Sequence, residues 1–264
     1  MIIFSMRLSR KISIIIGVGF LLVVLTGRWL NDHYTVPILM YHKVEGGDVA
    51  RPDTVSPAFL RYHMDYLKTH GYNVISLDDL VREKREGRRF GRRTVVLTFD
   101  DGEKSNYLHA VPILESKGFP ATFFVSPDLM GKAGYLSWEE TQAIVAKGFH
   151  IGSHGMTQAY LPDLSQDKQD FEIRRSREIL QSRLGTDVKY IAYPVGGFDR
   201  EVKEKVKAAG YQGAVTTNRG DDRFNKDVYE LNRVRLSNKD NTDQILWGKL
   251  SGYYNLFRKL KPGD

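Results

Sequence analysis

Hydrophobic and polar positions divide the chain sharply after its first thirty residues. Ile12 to Gly27, "ISIIIGVGFLLVVLTG", carries no charge, and Arg7, Arg10 and Lys11 precede it. A run of this length falls between the core of an export signal, roughly 7–15 residues, and a spanning helix, roughly 17–25. Arg28 and Trp29 stand where a small-x-small cleavage motif would follow, which favours an uncleaved anchor over a removed signal. Residues 1–30 are therefore expected to form a cytoplasmic basic end plus membrane anchor, or else a signal peptide. Residues 31–264 then form a domain outside the cytoplasmic membrane of a bacterium.

After the linker "NDHYT", short apolar runs alternate with amphipathic stretches. The runs are "VPILMYH" (36–42), "NVISL" (73–77), "TVVLTF" (94–99), "ATFFV" (121–125), "HIGSH" (150–154), "KYIAYP" (189–194), "GAVTT" (213–217) and "ELNRVRL" (230–236). Helix starts lie between them: Ser56 before Pro57 is an N-cap with proline at the first helical position, and "SWEE" from Ser137 is a capping box. A third helix is predicted up to Gly185, with Phe171 and Ile179 eight residues apart on one apolar face. Strands that are apolar throughout and separated by helices are parallel and covered on both faces. About eight such units predict an α/β fold, a distorted or incomplete (β/α) barrel rather than a doubly wound sheet.

Composition narrows the chemistry. There is no cysteine, so disulfides and thiolate metal sites are excluded and any metal must be held by His, Asp, Glu or neutral oxygen. Of the net charge of +7, Arg7, Arg10, Lys11 and Arg28 supply four. Most of the rest lies in "REKREGRRFGRR", Arg82–Arg93, which precedes a strand and so belongs at the barrel end opposite the chemistry. That run is expected to be a solvated connection, with contact to anionic headgroups or wall polymer as the alternative. No interleaved aromatics accompany it, so nucleic acid is not an expected partner.

Barrel chemistry gathers where strands end. The polar residues there are His42, Asp100 and Asp101, His154, Tyr193, and the segment from Arg233 to Asn238. "VVLTFDDG" delivers two adjacent carboxylates and a glycine that lets the chain turn. Adjacent carboxylates repel unless a cation takes one, which leaves the other as a base. An isolated "DDG" is more often a turn or a helix cap; the buried strand before it and the histidines at two other strand ends favour a site. A paired-carboxylate glycosidase fits poorly, because its acids must flank a bond about 5–9.5 Å apart.

"LTFDDG", "GSHG" and "AYPVGG", in that order, resemble the NodB-type polysaccharide deacetylases of carbohydrate esterase family 4. "ILMYHKV" resembles the branch containing poly-N-acetylglucosamine deacetylases. The resemblance implies hydrolytic N-deacetylation of an N-acetylated amino-sugar polymer on a divalent metal, zinc before cobalt or nickel. It implies Asp100 as general base, Asp101 and His154 as metal ligands, His42 as general acid, and the backbone N–H of Val195 as oxyanion donor, with Tyr193 beside it.

Three positions depart from that pattern. Gln158 stands where the second metal histidine is usual, and Ala159 follows it, so an amide oxygen would have to complete the site. Ala192 stands where an arginine usually orients the base, a role that Arg233 or Arg235 is expected to take over. Val195 replaces a common aromatic. Gln158 keeps a second reading open: a deacetylase-fold protein without turnover that binds glycan or a synthesis partner. Tyr160 or Asp163 is a weaker candidate for the missing ligand. His33, His63, His70, His109 and His150 are expected to be structural, and the aromatic and lysine-rich C-terminus from Ile245, including Trp247, to pack on the barrel. The sequence assigns neither the polymer nor an oligomeric state.

Overall fold

The computed structural model describes residues 2–46, 51, 53–217 and 222–257, the side chains of 2–11 and 257 excepted. Arg7, Arg10, Lys11 and residues 258–264 of the C-terminal segment thus fall outside the described side chains. The chain forms two compact units, Met1–Thr35 and Val36–Asp264. The first is a single helix, α1 (Ile2–Asp32). Its portion Ile12–Asp32 has 21 residues and a mean hydropathy of 2.0. At 1.5 Å per residue that is about 30 Å, the thickness of a bilayer's hydrocarbon core, long enough for an anchor or an export signal.

The second unit holds the strands β1 (Ile38–Tyr41), β2 (Lys43–Val44), β3 (Thr54–Val55), β4 (Asn73–Ile75), β5 (Thr94–Phe99) and β6 (Thr122–Val125). It continues with β7 (His150–Ser153), β8 (Tyr190–Ala192), β9 (Gly213–Thr216), β10 (Leu231–Asn232) and β11 (Val234–Arg235). All but β2 and β3, which pair with each other, lie in one parallel sheet ordered β10-β9-β8-β7-β6-β5-β1-β11, with β4 beside β5. The two ends of that order are one continuous segment. Leu231 pairs with Val215 of β9, and Val234 pairs with Leu39 of β1. Between them the Arg233 N–H donates to Thr216 O at 3.1 Å, and further on the Leu236 N–H donates to Met40 O at 3.1 Å. With β10 and β11 taken as one stave, the sheet is a nearly closed barrel of eight strands, as the alternation predicts.

Alternation along β5 sorts its side chains. Val95, Leu97 and Phe99 join the core beneath the helices, whereas Thr98 is buried outside that cluster, two residues before Asp100. Helix caps keep the layers in place: Ser56 Oγ accepts from the Phe59 N–H at 3.2 Å ahead of α2 (Pro57–Thr69), and Ser137 closes the capping box of α5 (Trp138–Ala146). The basic run begins in the last turn of α3 (Leu77–Arg85) and continues beyond it; Arg82 pairs with Asp79 and Arg88 with Glu83, as in a solvated connection.

Two expectations change. The helix predicted up to Gly185 contains a π-turn, Phe171–Arg175, between α6 (Gln166–Asp170) and α7 (Ser176–Leu184). The extra residue rotates the buried face onto Glu172, Ile173 and Leu180 and leaves Phe171 48% exposed. On α9 (Asp243–Leu250), Leu246 and Leu250 are buried but Trp247 is 67% exposed, so it does not pack on the barrel.

Candidate active site

The turn after β5 builds the centre of the site. The Asp100 N–H still donates to Tyr41 O at 2.9 Å, so Asp100 keeps the strand's alternation. Asp101 (φ 70°) and Gly102 (φ 65°) then both take the left-handed conformation. Aspartate tolerates this region because its short polar side chain bonds locally, and at Gly102 a side chain would come within 3.2 Å of Val125 Cγ1. The strand stops at once: Asp100 is 2% exposed, while the Asp101 side chain, 30% exposed, stays at the rim.

Arg233, at the break between β10 and β11, clamps Asp100. Nη1 and Nη2 donate to Oδ1 and Oδ2, each at 2.6 Å, and Nη1 also lies 3.2 Å from Thr98 Oγ1. The guanidinium carbon sits 5.6 Å from the centre of the Phe124 ring. That ring has room only because residue 152 is glycine, where any side chain would overlap it. Burial pushes the Asp100 carboxyl up, but the Arg233 guanidinium, with help from His154 and His42, overcomes this and brings it down to about 2. Of the two candidate arginines, Arg233 is the one whose guanidinium meets Asp100. Arg235, two residues on, is exposed and is an electrostatic neighbour of His42 instead.

His154 is 5% exposed. Its Nδ1 lies 2.8 Å from Ala192 O, which fixes the proton on Nδ1 and leaves the Nε2 lone pair 3.3 Å from Asp101 Oδ1. A proton or a cation is needed between those two atoms. Burial lowers the His154 pKa, but the carboxylates of Asp101 and Asp100 outweigh it and hold it above its ordinary value. His42 faces the same carboxylates, yet its burial dominates and pulls its pKa down; its Nδ1 is buried without a partner among the described residues.

Gln158 takes a left-handed conformation (φ 66°) that turns its side chain toward the aspartate, with Nε2 3.4 Å from Asp101 O. The loop leading to it is tied down by a residue that motif reading missed. Glu172, buried on the π-turn, accepts from the N–H groups of Met156 at 2.7 Å and Thr157 at 3.0 Å and from the Thr157 hydroxyl at 2.5 Å. A side chain on Gly155 would come within 2.7 Å of Glu172 Oε2. The sequence offers no clear signal for it: Glu172 is one of many charges in this stretch, and the face it shares with Gln169 and Ser176 is itself partly polar. Glu172→Ala should free residues 155–158 and lower divalent-metal affinity by about 10–100-fold, as loss of an orienting partner does. Glu172→Gln, which keeps an oxygen acceptor, should restore most of it; equal metal affinity in both variants and the natural chain would refute this role.

The side chains that meet around Asp101 are one imidazole, one carboxylate and one amide; among the described residues no three His, Cys, Asp or Glu are arranged so that they could hold a metal ion. Such a mixed nitrogen and oxygen set suits a borderline divalent cation, held less firmly than by two imidazoles. In the loop after β8, Val195 occupies the left-handed region (φ 57°), a strained position for a β-branched residue. The bonds closing that turn are donated by Gly196 to Tyr193 O and by Gly197 to Pro194 O, so the Val195 N–H stands outside them. The Val195 side chain is 78% exposed. The Tyr193 side chain does not reach the site: it is 1% exposed, its hydroxyl donates to Tyr229 O and its ring stacks on Phe198. Asp163 is exposed, and Tyr160 leans on Gly197 rather than on the aspartates. His63 is buried between Tyr41 and the Asp240 carbonyl, and His109 and His150 are exposed.

The polysaccharide deacetylase family model matches residues 87–214. YxkH of Bacillus subtilis, which carries the polysaccharide deacetylase name, is 30% identical over 214 residues, covering 80% of this chain and 76% of its own. The poly-beta-1,6-N-acetyl-D-glucosamine N-deacetylase of Staphylococcus epidermidis is 24% identical over 200 residues, 70% of this chain and 68% of that one. Among solved structures, Streptococcus pyogenes deacetylase PplD in complex with acetate superposes with a TM-score of 0.71 at 25% identity, covering 86% of this chain and 98% of that one. IcaB from Ammonifex degensii shares the fold with a TM-score of 0.69 at 23% identity, over 82% and 97% of the two chains.

Proposed function

Because this chain belongs to the polysaccharide deacetylase family, we propose that it hydrolyses the acetamide of N-acetylglucosamine residues in a polysaccharide outside the cytoplasmic membrane. The observation that carries this reading is the Arg233 clamp, which holds one carboxylate of an adjacent pair ionised inside the barrel while the other meets His154 at the rim. A pair with divided environments is what separates a base from a ligand.

In this reading Asp101, His154 and the Gln158 amide oxygen hold a divalent metal. When bound, that ion polarises the acetyl carbonyl and acidifies water, which matters because a carboxylate as acidic as Asp100 is a weak proton acceptor on its own. Asp100 takes the water's proton, with Arg233 fixing the direction of its lone pairs. The Val195 N–H donates to the developing oxyanion, a preorganised donor whose strained backbone is consistent with a functional site. His42 acts in its protonated form, which burial makes a stronger acid, and passes that proton to the departing amine. α1 holds the chain to the membrane as a single-pass anchor, or directs its export if removed.

The full chain in detergent, supplied with zinc, cobalt or nickel, is expected to release acetate from N-acetylglucosamine oligomers, and chelator should stop it. Release that ignores chelator would overturn the metal reading. No release with any metal would leave the glycan-binding reading, which Gln158 in place of an imidazole favours.

A further inference from the structure

We propose that the Tyr160 ring, seated on Gly197, is the stacking platform of a subsite for a second sugar of the polymer, next to the residue that is deacetylated. This rests on the glycan reading above. The loop after β7 and the loop after β8 carry, respectively, Gln158 and Val195, and Tyr160 joins them two residues beyond each. A side chain at position 197 would overlap Cε2 and Cδ2 of the Tyr160 ring, so the glycine is what allows the ring to lie there.

The platform is rigid. On one side Glu172 holds Met156 and Thr157. On the other, Leu161 is fully buried and its carbonyl accepts from Gln169 Nε2 at 3.1 Å, Gln169 being itself 4% exposed. Fixed at both ends, Tyr160 nevertheless leaves 42% of its surface open. A ring held rigid and yet left open, two residues beyond Gln158 and against the loop that carries Val195, is placed to meet a ligand at the rim of the polar site.

The chemistry of that surface fits a hexosamine. With all ring substituents equatorial, a β-linked N-acetylglucosamine presents C–H bonds on both faces of its pyranose. Those weakly positive hydrogens meet the negative face of an aromatic quadrupole favourably. The acetamide of the reacting sugar would then sit at Asp100 while its neighbour in the chain rests on Tyr160.

The test uses the full-length protein with a dimer and a pentamer of β-1,6-linked N-acetylglucosamine, and the β-1,4-linked pair in parallel to distinguish the two linkages. Tyr160→Ala should raise KM for the pentamer about tenfold with a smaller change in kcat, and change the dimer less. Tyr160→Phe should keep the natural KM, and Gly197→Ala, with folding checked by its melting temperature, should reproduce the Tyr160→Ala effect by displacing the ring. An unchanged pentamer KM in Tyr160→Ala, or an equal loss in Tyr160→Phe, overturns the platform. If the natural chain releases no acetate, the deacetylase reading fails separately; pentamer binding by calorimetry then decides the platform, Tyr160→Ala weakening it about tenfold or, if not, refuting it.

Discussion

Arg233→Met is expected to destabilise the folded domain by about 3–5 kcal/mol and to abolish acetate release. The methionine keeps the apolar bulk over Phe124 but leaves the Asp100 carboxylate, 2% exposed, without its cation. Removing one partner of a buried pair costs more than the pair contributes, because the survivor stays charged in a dry site. Adding Asp100→Asn to Arg233→Met should therefore recover much of the stability while restoring no activity. Urea unfolding followed by fluorescence gives both values, and a double-mutant cycle isolates the coupling. Independent, additive effects of the two substitutions would show that the clamp, though 2.6 Å in both arms, carries no energetic weight.

Gln158→His is expected to tighten zinc binding by about tenfold or more, equivalent to about 1.4 kcal/mol. The backbone is prepared for it: φ is 66°, a region where histidine is several-fold enriched among non-glycine residues, so the substitution adds little strain. An imidazole there would stand beside Asp101 and His154 and complete a nitrogen-rich set of three. Competition against a metallochromic chelator reads the affinity directly, without reference to turnover. An unchanged affinity would remove Gln158 from the metal site and return the loop's purpose to glycan contact alone.

Much of this architecture was legible beforehand because the strands are apolar on both faces. "TVVLTF" is β5 to the residue, and all eight apolar runs became strands. The partner switch inside "ELNRVRL" was not legible, since it follows from barrel closure and not from any local propensity. Asp100, Asp101, His42 and His154 could be placed together because each follows a strand. Arg233 and Arg235 could not be told apart: residues two apart share a face, and only depth in the barrel, 1% exposure for Arg233, decides between them. Phe171 misled because a π-turn shifts the helical phase by a residue that no periodicity reveals. Tyr193 misled because its side chain turns into the packing against Tyr229 and Phe198, which no motif reveals.

The segment that closes the barrel is also the segment that brings Arg233 to Asp100, 133 residues earlier in the chain. During synthesis and export the aspartates, His42 and His154 therefore exist well before their arginine does. Until the last stave docks, Asp100 lacks the guanidinium that holds it ionised and oriented in the closed barrel. With Asp100 as the proposed base, closure of the fold and its arming would be one event, so a chain cut off before residue 233 is expected to carry "LTFDDG", "GSHG" and "AYPVGG" and still be inert.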